Sequence, residues 1–157
     1  MKRDPRLRDL SEDHHHGLVL ARVARRAAHG EGGLCVATAW RRVAREFAAE
    51  LEPHFEIEER LLVPALRRVG ATDFAGGVEA DHAALRALVA RADSATREDL
   101  AAFGDRLERH VRYEEREVFE FAQERLDAAE LEAIAAATAR RPPRTCRLDG
   151  APEEGGR

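Results

Sequence analysis

The sequence is poor in aromatic residues, in cysteine and in long apolar runs, and each shortage excludes a class of protein. Aromatic residues make up 5% of the chain, and no basic segment contains interspersed aromatic residues. Nucleic acid is therefore not expected as a partner. The two cysteines, Cys35 and Cys146, stand far apart and outside any metal-ligand spacing. A disulfide framework is therefore not expected, and the predicted compartment is a reducing cytoplasm.

Membrane segments are also missing from the sequence. No apolar run approaches the roughly 20 residues that span a bilayer, and the charged segment from Met1 to Leu10 lacks the apolar core of a signal peptide. Charge, in contrast, is abundant: 36% of residues are charged, with both signs interleaved and a formal net charge of −4. Such a composition is typical of amphipathic helices with ion-paired outer faces, and 157 residues suit one domain.

Helical periodicity covers most of the chain, and no strand pattern competes with it. It predicts four long helices, at about residues 7–28, 34–68, 73–92 and 96–121. Asp127 and Glu130 form a capping box that starts a short fifth helix. We therefore predict an all-α fold: an up-down-up-down four-helix bundle over residues 1–141. The Pro/Gly-rich, charged residues 142–157 are predicted to form a disordered tail.

Glycines and prolines mark the expected breaks in this pattern. The stretch Gly30 to Gly33 should separate the first two helices, and Gly70 should end the second. Pro53 and Pro64 fall inside the second helix, where a kink or a broken turn is expected because proline cannot donate a backbone hydrogen bond.

Ionisable residues interrupt the apolar face of every long helix. The first and third helices carry the pairs Asp13-His14 and Asp81-His82. The second and fourth carry an HxxxE motif each, at His54/Glu58 and His110/Glu114. Residues four positions apart lie on the same helical face, one turn from each other, where both can bind one metal ion or two adjacent ones.

The motifs occur twice, and this repetition distinguishes them from ordinary surface pairs. A single HxxxE is usually a solvated pair worth roughly 0.2–0.5 kcal/mol. Here the histidine and the glutamate of the first motif both recur 56 residues later. This repetition predicts two related helical hairpins. Burying four histidines and two carboxylates without partners would cost several kcal/mol per charged group. The sequence therefore predicts a metal site in the core.

These residues resemble the hemerythrin-like, HHE cation-binding domain family over about Leu7 to Phe121. The resemblance implies a four-helix bundle around a non-haem di-iron centre bridged by two glutamates. Its implied ligands are His14 (or His15), His54, Glu58, His82, His110 and Glu114. It also implies a small ligand at the metals, namely oxygen, nitric oxide or peroxide, or a role in handling iron. Imidazole and carboxylate ligands would equally accept manganese or zinc.

The chain departs from the oxygen-carrying members of that family at two positions. Those members have a second histidine one turn after the first on the third helix, where this chain has Arg86. They also use an aspartate at a longer spacing on the fourth helix, where this chain has Glu114. The resemblance is therefore to a four-histidine, two-glutamate branch, and the missing histidine favours reaction or sensing over reversible oxygen carriage.

Three alternatives stay open at this level. A ferritin-like di-iron set would use the ExxH motifs Glu12/His15 and Glu79/His82 together with Glu58 and Glu114. A redox enzyme that turns over peroxide has the same ligands, and no further acid-base residue requires or excludes it. A helical interaction module would hold the histidines without metal. The choice between His14 and His15 depends on the first alternative, since apolar spacing supports either residue.

Overall fold

The computed structural model describes residues 3–92 and 94–141, and all regular structure within these ranges is helical. The prediction of an all-helical protein is confirmed. The helices are α1 (Arg8–Ala28), α2 (36–68), α3 (Thr72–Val89), α4 (97–125) and α5 (Ala128–Ala139). A 3₁₀ turn, Pro5–Leu7, precedes α1. None of the helices in these ranges is both long and apolar enough to cross a membrane. The predicted tail and Cys146 lie outside the described residues.

Local sequence signals explain where these helices begin and end. Thr96 with Asp99, and Asp127 with Glu130, form complete capping boxes at the starts of α4 and α5. Each box satisfies backbone N–H groups that have no partner in the first turn of a helix. Gly70 follows α2 with φ of 84°, a left-handed conformation that glycine adopts without strain.

Helices α2 and α4 contain π-helical turns, at Phe47–Leu51, Glu58–Leu62 and Glu114–Val118. Pro53 and Pro64 each follow a π turn by two residues. The sequence predicted a kink or a broken turn at these prolines, and the structure interrupts the α-helix with a π turn just before each of them. No proline follows the third π turn. Two of the turns start at the glutamates of the HxxxE motifs, which agrees with the frequent occurrence of π turns at functional sites.

The core consists of two apolar clusters with the polar motifs between them. One cluster contains Leu10, Leu62, Val78, Val118 and, from α5, Ile134. The other is built by α1 to α4 around Leu20, Trp40, Leu85, Phe103 and Leu107. In each of α1 to α4, one segment packs into the first cluster and another into the second, and the motif residues lie between these two segments. The apolar core therefore encloses the histidines and glutamates from both sides.

The close approach of α1 and α4 leads to a first prediction, at Gly104. A β-carbon at this position would lie 2.6 Å from Cγ of Arg25 and 2.7 Å from the carbonyl oxygen of Ala21. Glycine to alanine in a helix normally stabilises by roughly 0.5–1 kcal/mol, but overpacking costs about 1–3 kcal/mol. We expect Gly104→Ala to lower the free energy of unfolding in urea.

Gly76 supplies the matched control for this prediction. It lies in α3 and is exposed, and a β-carbon added there would meet no atom within 4 Å. We expect Gly76→Ala to raise the urea midpoint because only the helix propensity changes. A higher midpoint for both variants would show that α1 and α4 are not in close contact at Gly104.

Candidate metal centre

Six ionisable side chains from α1, α2, α3 and α4 meet between the two apolar clusters. All are at most 4% exposed: His14, His54, Glu58, His82, His110 and Glu114. They form two groups of four that share both glutamates. His14 and His54 complete one group, and His82 and His110 complete the other. The potential ligand atoms within each group lie within 4.8 Å of one another.

The glutamates lie between the two histidine pairs. Glu58 places Oε1 3.3 Å from Nε2 of His54 and Oε2 3.3 Å from Nε2 of His82. Oε2 of Glu114 lies 3.0 Å from Nε2 of His14 and 3.2 Å from Nε2 of His110. Each glutamate therefore faces one histidine of each pair, which is the arrangement required of a carboxylate that bridges two metal ions.

Several of these buried atoms have no hydrogen-bond partner. They are both carboxylate oxygens of Glu58, both of Glu114, Nε2 of His82 and both ring nitrogens of His110. Buried polar atoms in native proteins are almost always paired, and leaving one unpaired costs about 1–3 kcal/mol. Imidazole nitrogens and carboxylate oxygens are ligands for iron, manganese and zinc. The residues present thus fit a pair of metal ions.

The outward-facing nitrogen of each histidine meets a second carboxylate. Nδ1 of His14 lies 2.7 Å from Glu115, and Nδ1 of His82 lies 2.9 Å from Glu59. Asp13 takes the same role for His54 at 3.2 Å. Asp81 lies 3.8 Å from His110, which is too long for a hydrogen bond. A carboxylate at this nitrogen fixes the tautomer that leaves Nε2 free to bind metal.

Each of these outer carboxylates is in turn bound by an arginine. Arg86 lies 2.6 Å from Glu59, Arg106 lies 2.6 Å from Asp81, and Arg3 lies 2.7 Å from Glu115. Arg141 binds Asp13. Each of the four histidines of the centre is thus followed outward by a carboxylate and then by a guanidinium group. This order holds the histidine rings in place from the surface of the protein.

The comparison with known families agrees with this site. A model of the hemerythrin HHE cation-binding domain matches residues 7–122. The chain belongs to the hemerythrin family. No curated protein and no solved structure matched the chain significantly. The predicted family is therefore confirmed, and the match includes all six clustered residues of this hemerythrin domain.

The charges in the hemerythrin centre shift the pKa values of its side chains. Burial lowers the pKa of His14, His54 and His82, but the neighbouring glutamates outweigh it, so all three pKa values rise above the ordinary one. Burial raises the pKa of Glu58, yet the charges of His54 and His82 bring it well below its usual range. Without metal, these histidines therefore keep their protons to a higher pH, and Glu58 keeps its negative charge to a lower pH, than the free side chains do.

The structure places the residues of the ferritin-like set differently. His15 and Glu12 are exposed on α1 and belong to neither group of four. Glu79 is partly exposed and forms an ion pair with Arg67 at 2.5 Å. Of the seven residues predicted as ligands, the hemerythrin domain brings together six and leaves out His15. On α1 it is therefore His14, and not His15, that lies on the buried face.

The outer carboxylates and arginines were not predicted from the sequence. A signal for the carboxylates exists, because the Asp-His doublets and the Glu-Glu doublets at Glu58-Glu59 and Glu114-Glu115 repeat with the motifs. In each doublet one residue faces inward and the other supports a histidine. The arginines of this hemerythrin chain do not follow the repeat, so no comparable signal marks them.

Proposed function

We propose that the protein binds two metal ions, preferentially iron, in a centre bridged by Glu58 and Glu114. His14 and His54 would hold one ion, and His82 and His110 the other. We infer that the helices form an up-down-up-down four-helix bundle in a single domain over residues 1–141. A cytoplasmic location is part of the same proposal, since the sequence favours a reducing compartment.

The observation that carries this proposal is the cluster of buried nitrogen and oxygen atoms without hydrogen-bond partners. A bundle that needed no metal could fill this layer with apolar side chains, as it does above and below. Buried charges are retained at a cost in stability unless they are paired or bind a metal. Two divalent ions would satisfy the four inward nitrogens and both carboxylates together.

The role that fits such a centre best is to bind or sense a small molecule. Two histidines and two shared carboxylates give each ion fewer ligands than the six of an octahedral site, so exogenous ligands can bind. When bound, iron supplies redox-active ions that react with oxygen, nitric oxide or peroxide. Iron is preferred through the family; manganese and zinc suit the same ligands. Handling of iron itself is part of the same proposal.

Four alanine variants test the ligand assignment. His54→Ala and His110→Ala should lose much of the iron per chain, because each removes an inward nitrogen from one group of four. Glu12→Ala and Glu79→Ala should keep the wild-type iron content, since both side chains lie outside the groups. Iron per chain is measured after reconstitution without oxygen.

Two results would contradict the proposal in different ways. Loss of iron in the glutamate variants alone would support the ferritin-like set. Wild-type protein that binds no iron, manganese or zinc would instead support a metal-free interaction module. The absorption spectrum in air provides a further check, since an oxidised di-iron centre should absorb in the near ultraviolet and zinc-loaded protein should not.

A further inference from the structure

The four arginines around the centre come from two different parts of the chain. Arg86 in α3 and Arg106 in α4 support the histidine pair His82 and His110, and both lie within the matched residues 7–122. The arginines that support His14 and His54 are Arg3 and Arg141, and both lie outside that range. The two halves of the centre therefore have similar inner ligands but different outer support.

Arg141 connects the end of α5 to the His54 side of the centre. Its Nη1 atom binds Asp13, whose carboxylate lies 3.2 Å from Nδ1 of His54. Its Nη2 atom donates to the carbonyl oxygen of Glu50 in α2 at 3.3 Å. The Arg141 side chain is only 15% exposed. The guanidinium group thus joins α5 to α1 and α2 beside the histidine.

Arg3 supports His14 through two contacts. Its Nη2 atom lies 2.7 Å from both the carbonyl oxygen and Oε2 of Glu115, and Glu115 binds Nδ1 of His14. The guanidinium carbon also lies 5.2 Å from the ring centroid of Phe119. That ring stacks on His14 at 5.2 Å with an angle of 14° between the planes. Arg3 therefore restrains His14 both through its hydrogen-bond partner and through its stacking partner.

We propose that Arg3 and Arg141 are positioning residues for the metal ion at His14 and His54. The segments before and after the hemerythrin domain thereby control occupancy of one half of the centre. The helices themselves supply the arginines of the other half. The inference rests on the proposed two-metal function, and it assigns a role to α5, which lies beyond the matched domain.

The test is titration of metal-free protein with Co²⁺, whose absorption reports each bound ion. Arg141→Met should weaken one of the two binding steps by roughly 10–100-fold, the usual effect of losing an outer partner of a metal ligand. The other step should keep its affinity. Arg140→Met is the matched control, since Arg140 is the exposed neighbour, and it should bind both ions as the wild type does.

A second readout separates positioning from general stability. In the Co²⁺ protein, the Nδ1 proton of His54 should give a shifted NMR signal, identified by its absence in His54→Ala. This signal should disappear through solvent exchange in Arg141→Met and return in Arg141→Lys. The metal-free Arg141→Met protein should melt at a lower temperature, because Asp13 loses a buried partner, whereas only a positioning role predicts that a single binding step weakens. Equal weakening of both steps, or unchanged binding in Arg141→Met, would overturn the inference. Wild-type protein that binds fewer than two Co²⁺ ions would overturn the proposed function itself.

Discussion

Replacing either Glu58 or Glu114 with alanine should abolish binding of both metal ions. Each glutamate faces one histidine of each pair, so removing one takes a ligand from both ions at once. It would also take away negative charge that offsets the mutual repulsion of two cations held in one centre. The metal content should fall from two ions per chain to nearly none, measured by elemental analysis after reconstitution with Fe²⁺.

Glu59→Ala is the matched control for these variants. Glu59 follows Glu58 directly, but its side chain is 32% exposed and contacts the outer nitrogen of His82 and the guanidinium group of Arg86. Its loss should weaken the ion at His82 and His110 and leave the other ion bound. If Glu59→Ala loses as much metal as Glu58→Ala, the inward and outward roles of the two neighbouring glutamates have been exchanged.

Removing the metal should lower the melting temperature, and by more at pH 8 than at pH 6. Ions that bind only the folded state at 1,000 times their dissociation constant stabilise it by about 4 kcal/mol. For a chain of this size this corresponds to roughly 10 °C. Calorimetry of metal-free and metal-loaded protein at several pH values measures the difference.

The sign of the pH effect follows from the histidines. The folded-state pKa values of His14, His54 and His82 lie above 6.5 in the absence of metal. Their contribution to the stability of the metal-free protein is therefore present below pH 6.5 and lost as the pH rises through the raised values. Protons also compete with metal for the same nitrogens, so metal binding weakens as the pH falls.

The carboxylates set the lower pH limit of stability for the metal-free protein. Burial raises the pKa of Glu115, but its hydrogen bonds from His14 and Ser11 bring the pKa down to about 2. The resulting stability is present above pH 4.5 and is lost as the pH falls toward 2. The metal-free protein should thus be most stable between about pH 4.5 and 6.5. If the melting temperatures of metal-loaded and metal-free protein differed by more at pH 6 than at pH 8, this prediction would be wrong.

Helical spacing from His54 and His110 predicts four buried apolar positions after the motifs, at Leu61, Ala65, Val118 and Phe121. The structure buries Ala65 and Val118 but leaves Leu61 and Phe121 half-buried. Leu62 and Ala122, one position later, are fully buried instead. The π turns that begin at Glu58 and Glu114 insert one extra residue per turn, which moves the buried face forward by one position.

Nothing in the local sequence marks those π turns. Pro64 accompanies one of them, but the turn at Glu114–Val118 has no proline, so its wider hydrogen bonding depends on the tertiary structure. The sequence does not indicate the role of the arginines, for a similar reason. Arg3 and Glu115 are 112 positions apart, and Asp13 and Arg141 are 128 positions apart. Helical periodicity relates residues within a helix and carries no information on such pairs.

The formal charges around the centre do not cancel, and their balance decides which ions the site attracts. The two shared glutamates and the four outer carboxylates carry six negative charges. Three of the four arginines also contact a further carboxylate, namely Glu52, Glu50 and Glu120. Six and three carboxylates thus make nine around four guanidinium groups. This surplus of negative charge raises the local concentration of cations around the centre.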